Sequence, residues 1–171
     1  IDNTYLENKE AIKWSGKPKV SFFAERTMVS PNENIYLHAL VGGVEHSSTW
    51  KWIIPDATFV NGVSDLNAVV RFSKPGLYDA TFIASNSYGV DTLLKQQYLV
   101  IVGITTPDTS ICAGDSVLLS FSDGQFSNIV WDNGSESKSL LVAPNSNTTY
   151  SVTATKGFFE YSDQVTIRVS Q

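Results

Sequence analysis

Apolar and polar residues alternate with a period of two over most of the chain, and no segment sustains a helical period. Ile35, Leu37, Ala39 and Val41 take every second position of one run. Ala68, Val70 and Phe72 do so in another, and Tyr78, Ala80, Phe82 and Ala84 in a third. Successive side chains of a strand point to opposite faces, so each run buries one face and leaves the other to solvent. Turn-forming clusters separate the runs, among them Ser30-Pro31-Asn32-Glu33, Lys74-Pro75-Gly76 and Ser87-Tyr88-Gly89. The pattern predicts strands over Lys19–Ala24, Asn34–Val41, Leu66–Ser73 and about Thr92–Val102. Trp50, Trp52 and Ile54 share the core face of a further strand, and a loop follows through Pro55-Asp56 and Asn61-Gly62.

The second half repeats the plan of the first. A Trp-bearing strand precedes a Tyr-led alternating strand twice: Trp50 and Trp52 before Tyr78, then Trp131 before Tyr150. In the second copy Val117, Leu119 and Phe121 alternate, Leu140 and Val142 follow, and Val165, Ile167 and Val169 close the set. The expected organisation is a leader or linker over 1–17, one β-sandwich over 18–103 and another over 104–171. Gly103 marks the boundary, with no flexible spacer around it.

Composition narrows the partners. Charged residues form 17% of the 171 residues, below the usual ~25%, while hydroxyl, β-branched and aromatic residues are plentiful, as in an all-β protein. A net charge of -5 without a Lys/Arg cluster argues against nucleic acid. No apolar run approaches the roughly 20 residues of a membrane-spanning helix, and the first residues lack a signal-peptide pattern. Beginning at Ile1, the chain reads as a processed or excised piece of a larger protein. The single cysteine, Cys112, rules out an internal disulfide and a multi-cysteine metal site, and is expected as a small apolar residue at a strand entrance.

Particular segments resemble known families. Trp50-Lys51-Trp52, Val70-Arg71-Phe72, Pro75-Gly76-Leu77-Tyr78 and the stretch from Ser85 to Thr92 resemble the PKD family, an immunoglobulin-like sandwich common in secreted and surface proteins. Where many PKD domains carry a Gly-Asp-Gly turn after the Trp strand, this chain has Ile53-Ile54-Pro55-Asp56. Residues from Ile111 to Val117, Val130-Trp131-Asp132-Asn133-Gly134, Val142-Ala143-Pro144 and Asn147 to Val152 resemble small immunoglobulin-like modules of secreted Bacteroidetes-type proteins. That resemblance implies a disulfide from Cys112 to the last hairpin, where this chain has Phe158-Phe159 instead. The fold class expected is therefore all-β, with two tandem immunoglobulin-like β-sandwich domains in a secreted or surface-anchored bacterial protein.

Catalytic chemistry finds no footing in the pattern. His38 and His46 are separated by a turn region, and no nucleophile elbow, phosphate loop or paired metal-ligand motif is present. Asp56, Asn61, Asp65, Asp123, Asp132 and Asn133 have the side chains calcium takes, but their spacing is that of ordinary turns. No cofactor, metal or catalytic residue is expected, and the chain is not expected to be an enzyme. Aromatics outside the predicted cores, Trp14, Phe126, Phe158, Phe159 and Tyr161, are the candidate binding residues, with Tyr36 and Tyr88 beside them. Two function classes follow. One is a non-catalytic module that spaces or docks other domains of its parent chain, or serves adhesion to an extracellular protein. The other is a surface protein that binds polysaccharide through exposed aromatics and loops.

Overall fold

Strands alone provide the regular structure of the residues described by this computed structural model, which are 16–43, 48–122 and 126–170, with Phe159 described by its backbone alone. In the first half they are β1 (Lys19–Ala24), β2 (Met28–Val29), β3 (Ile35–Gly42), β4 (Thr49–Ile53), β5 (Thr58–Phe59), β6 (Asn67–Arg71), β7 (Gly76–Asn86) and β8 (Gly89–Ile101). The second half holds β9 (Thr109–Cys112), β10 (Val117–Ser120), β11 (Asn128–Trp131), β12 (Ser139–Val142), β13 (Thr148–Lys156) and β14 (Phe159–Ser170). No helix in the described residues is long and apolar enough to cross a membrane.

Hydrogen bonding orders the first half into two sheets, β1-β3-β6-β5 and β2-β8-β7-β4. This is the immunoglobulin arrangement, in which one sheet carries strands A, B, E and D and the other C, F and G. The opening strand is divided between them: β1 pairs antiparallel with β3, and after a short crossing β2 pairs parallel with β8. The second half repeats this with fewer pieces. Its sheets are β10-β12 and β11-β13-β14-β9, β9 runs parallel to β14, and the opening strand's first part shrinks to one bridge, Ile104 to Phe121. The protein is two tandem immunoglobulin-like sandwiches.

Each core follows the alternation. Leu37, Ala68, Val70, Ala80 and Phe82 are buried in the first, and Leu119, Val152, Ala154 and Ile167 in the second. Trp52 lies edge-on to Phe22 at 5.1 Å and 4.6 Å from Phe82, while Trp50 is half-buried at the rim. A large indole enters a core only if its N–H finds a partner. Both core tryptophans solve this alike: Trp52 Nε1 donates to Asp65 O and Trp131 Nε1 to Ser137 O, each at 2.8 Å. Tyr78 makes the tyrosine corner of the first sandwich, its hydroxyl donating to Lys74 O at 2.8 Å.

The structure adds three strands that the alternation does not indicate, and one lies where a loop is expected. β2 and β5 are two residues long and β9 four. β2 and β5 are too short to show a period, β9 (Thr-Ser-Ile-Cys) offers no apolar alternation to read, and all three exist because β8, β6 and β14 offer them a template. Cys112 closes β9 and is exposed, instead of opening a strand as an apolar side chain.

One edge of the first sandwich is sealed by side chains. β1 has β3 on one side only, so the backbone groups on its other side need partners, and β8 supplies them. Asp91 Oδ2 accepts from Val20 N at 2.9 Å, Lys95 Nζ donates to Phe22 O at 2.6 Å, and Tyr98 Oη accepts from Ala24 N at 2.9 Å. The Lys95 ammonium also lies 4.6 Å from the Phe22 ring centre and 4.5 Å from that of Tyr98. Replacing Lys95 by Met keeps the aliphatic packing and removes both interactions. The expected loss is about 1–2 kcal/mol, measured by denaturant unfolding, and an unchanged midpoint would show that the ammonium contributes nothing.

Candidate functional site

Between the two sandwiches the chain has no slack. β8 ends at Ile101, and Val102 and Ile104 are already buried in the second core, with Met28 and Val100 of the first half packed against it. Gly103 is buried between them and is bound twice to Ser122, its N donating to Ser122 Oγ and its O accepting from Ser122 N, both at 2.8 Å. Ser122 is itself buried. Asp163 grips the next residue, with Oδ2 accepting from Ile104 N at 2.8 Å. On the other side Pro75 stands so close that a Cβ added to Gly103 would lie 2.6 Å from its Cγ. Sequence alone identifies Gly103 and misses Pro75, Ser122 and Asp163. A lone Asp within the closing strand's alternating run was the one available signal.

The aromatic candidates separate into different environments. Phe126 and Tyr161 are half-buried against the second core, with ring centres 5.6 and 6.1 Å from that of Phe121. Burial, and then the negative charge of Asp163, push the Tyr161 hydroxyl up to about 12. The cluster they join is the second core, so these rings are committed to packing there.

Phe158 is fully exposed. It does not sit in a strand: Gly157, at φ +59°, and Phe158 form the two-residue turn between β13 and β14. The strand begins only at the next residue. Phe159 opens β14 opposite Lys156, and Trp14 lies outside the described residues. Tyr88 occupies the same turn position in the first sandwich and is also exposed.

A second group of rings lies on the outer face of the β1-β3-β6-β5 sheet. Phe23 and His38 are cross-strand partners with ring centres 5.1 Å apart, near-parallel at 29°, and Tyr36 is exposed two residues along β3. His38 Nδ1 meets Asn67 Oδ1 and its Nε2 meets Glu25 Oε1, each at 2.9 Å. The hydrogen bond to Asn67, then that to Glu25, hold the imidazolium against a smaller opposing cost of burial, so the pKa lies above the ordinary 6.5. Stability from this contact is fully present below the unfolded value and is lost as pH rises through the raised folded value. An NMR titration of His38 should give a midpoint above 6.5, and Glu25→Gln should lower it. A midpoint at or below 6.5 would remove the pairing.

Three of the turn carboxylates and amides are occupied with backbone. Asp132 Oδ2 accepts from Ser151 N, Asn133 Oδ1 from Ser135 N, and Asn61 spans Val69 N and Asn67 O. Among the described residues no three His, Cys, Asp or Glu side chains are grouped as a metal would need. His46 and Asp123 lie outside the described residues. A depression of about 300 Å³ lined by Asp56, Ser73, Lys74 and Tyr78 uses its one hydroxyphenyl donor in the tyrosine corner.

No family model matches the chain, and neither does any curated protein. Solved structures with a similar course of chain do exist. One is a titin A168–A169 structure, with 16% identity, a TM-score of 0.42, and coverage of 91% of this chain and all of that one. Another is the N-terminal eight immunoglobulin domains of Down Syndrome Cell Adhesion Molecule, at 15% identity and TM-score 0.41; 90% of this chain spans a quarter of that one. Domains 3–5 of the extracellular part of Drosophila OTK give 12% and 0.40, with 90% and 62% covered. The fold assignment rests on the strand order and register of the chain itself: two immunoglobulin-like sandwiches in tandem.

Proposed function

We propose that this chain is a non-catalytic tandem module of a larger secreted or surface-anchored bacterial protein, in which it spaces and orients neighbouring domains for docking or adhesion. The joint carries this reading. A peptide whose flanking residues are buried in the second core, and whose own N–H and C=O are both bound to Ser122, turns two sandwiches into one lever of fixed angle. Small-angle scattering should fit a narrow range of angles between the halves. Data that need a broad ensemble would end the spacer reading.

Exposed rings favour a second reading, polysaccharide binding. Tyr36, Tyr88 and Phe158 are exposed, and open aromatic faces stack on sugar rings. Phe158→Ala removes the most exposed of them. Binding to a broad glycan panel that falls with this variant would support the reading, and no binding by the parent chain would dispose of it.

A further inference from the structure

The two sandwiches differ at one edge, and the difference marks an interaction surface. In the first, the outer side of β6 is covered by the strand before it: Val60 N donates to Val69 O, Asn61 Oδ1 accepts from Val69 N, and Asn61 Nδ2 donates to Asn67 O. In the second, β12 takes the place of β6, but the chain passes from β11 to β12 without adding a strand. Among the described residues the sheet is β10-β12 and nothing more. Phe121 N donates to Lys138 O, and the register pairs Leu119 with Leu140 and Val117 with Val142. In an antiparallel ladder alternate residues turn their backbone groups to opposite sides. Leu141 N–H and C=O therefore point outward, together with Ser139 C=O, which are the counterparts of the groups capped in the first sandwich.

Side chains guard this edge at one point only among the described residues: Ser137 Oγ accepts from Ser139 N at 3.4 Å, which leaves Ser139 C=O and both backbone groups of Leu141 uncapped. Free edges are ordinarily blunted by charge, proline or a covering segment, and β1 here is covered by Asp91, Lys95 and Tyr98. β12 reads Ser-Leu-Leu-Val and β10 Val-Leu-Leu-Ser, with no charge on either. Leu141 is 67% exposed, and its cross-strand neighbour Leu118 is 53% exposed on the same outer face.

We infer that β12 is a homotypic pairing edge whose occupant is β12 of a second copy of this chain, antiparallel about a two-fold axis at Leu141. A strand set antiparallel to itself is self-complementary. With Leu141 opposite Leu141, each copy's Leu141 N–H donates to the other's Leu141 C=O. Ser139 C=O then meets Ala143 N–H, so the pairing spans residues 139–143 of each copy. The outer face gains a row of four leucines, 118 and 141 from each copy. In a chain of net charge -5, these uncharged strands can meet a copy without bringing like charges together.

A four-strand join this short is a weak contact, so sedimentation equilibrium should show the mass rising from 18.8 kDa toward twice that value only between about 10 μM and about 1 mM. Leu141→Lys sets like charges across the axis at an exposed position and should raise the dissociation constant at least about tenfold, with folding intact by circular dichroism. Leu118→Lys should weaken pairing less. Concentration-dependent amide shifts should centre on residues 139–143. A mass that stays at the monomer value overturns the inference, as does a dimer that Leu141→Lys leaves intact. So does a Leu141 amide protected only when a foreign extended apolar peptide is added. None of these results touches the rigid joint, so the spacer reading stands or falls separately.

Discussion

Trp131→Ala is expected to unfold the second sandwich at a temperature or denaturant concentration at which the first stays folded. Trp131 is 1% exposed, among the largest fully buried side chains, and its indole N–H holds Ser137 O at 2.8 Å. Truncating a buried Trp costs about 3–5 kcal/mol, a large part of the ~5–15 kcal/mol that stabilises an ordinary domain. The second sandwich has little reserve, because its β10-β12 sheet has only two strands. Calorimetry should resolve two transitions in the variant. Emission of the remaining tryptophans, Trp50 and Trp52 among them, should follow the later one, shifted slightly because Met28 and Val100 lose the second core as a neighbour. A single transition at the parent midpoint would mean that Trp131 is dispensable.

Gly103→Ala should be the most damaging of the small substitutions. Its φ of +153° is one that residues with a side chain rarely adopt, and the new methyl would lie 2.6 Å from Pro75 Cγ and 2.9 Å from Asp163 Oδ2. Pro75 is held within its turn, and Asp163 cannot withdraw without releasing Ile104 N. Strain and overpacking together are expected to cost roughly 2–5 kcal/mol, with a wider angular range in small-angle scattering. Pro75→Ala in the same chain should restore part of the loss, since it removes the closest atom, and a double-mutant cycle would measure that coupling. An alanine variant with parent stability and parent scattering would show that the joint tolerates a side chain.

Alternation made the faces of the long strands legible because a run such as Ile35–Val41 repeats its period several times. It could not show β2, β5 or β9, which depend on distant partners for their existence. Nor could it place Phe126 and Tyr161, since a ring at a strand end reads the same whether it faces solvent or a neighbouring core. Phe158 was readable as exposed, but for a different reason: Gly157 turns the chain there. The ladder on β1 was hidden by parity. Asp91, Lys95 and Tyr98 are separated by four and then three residues, so strict alternation puts Tyr98 on the wrong side. The irregularity that sets Lys95 and Leu99 opposite Ala80 and Tyr78, with Gln97 at φ 47°, brings it back. At the joint, Pro75, Ser122 and Asp163 come from three separated turns and strands, a convergence no local pattern reports.

The clasp of β1 by β8 also bears on the order in which the chain can be completed. Its three bonds join residues 71 to 74 positions apart. A chain delivered from its N-terminus can pair β1 with β3 early, yet the other side of β1 stays open until Tyr98 has emerged. For most of the synthesis or export of the first sandwich its opening strand is a bare template, vulnerable to pairing with neighbouring nascent chains. The last strand of the first sandwich is what closes that interval, and a truncation that stops short of Asp91 would leave β1 open to pairing along that whole side.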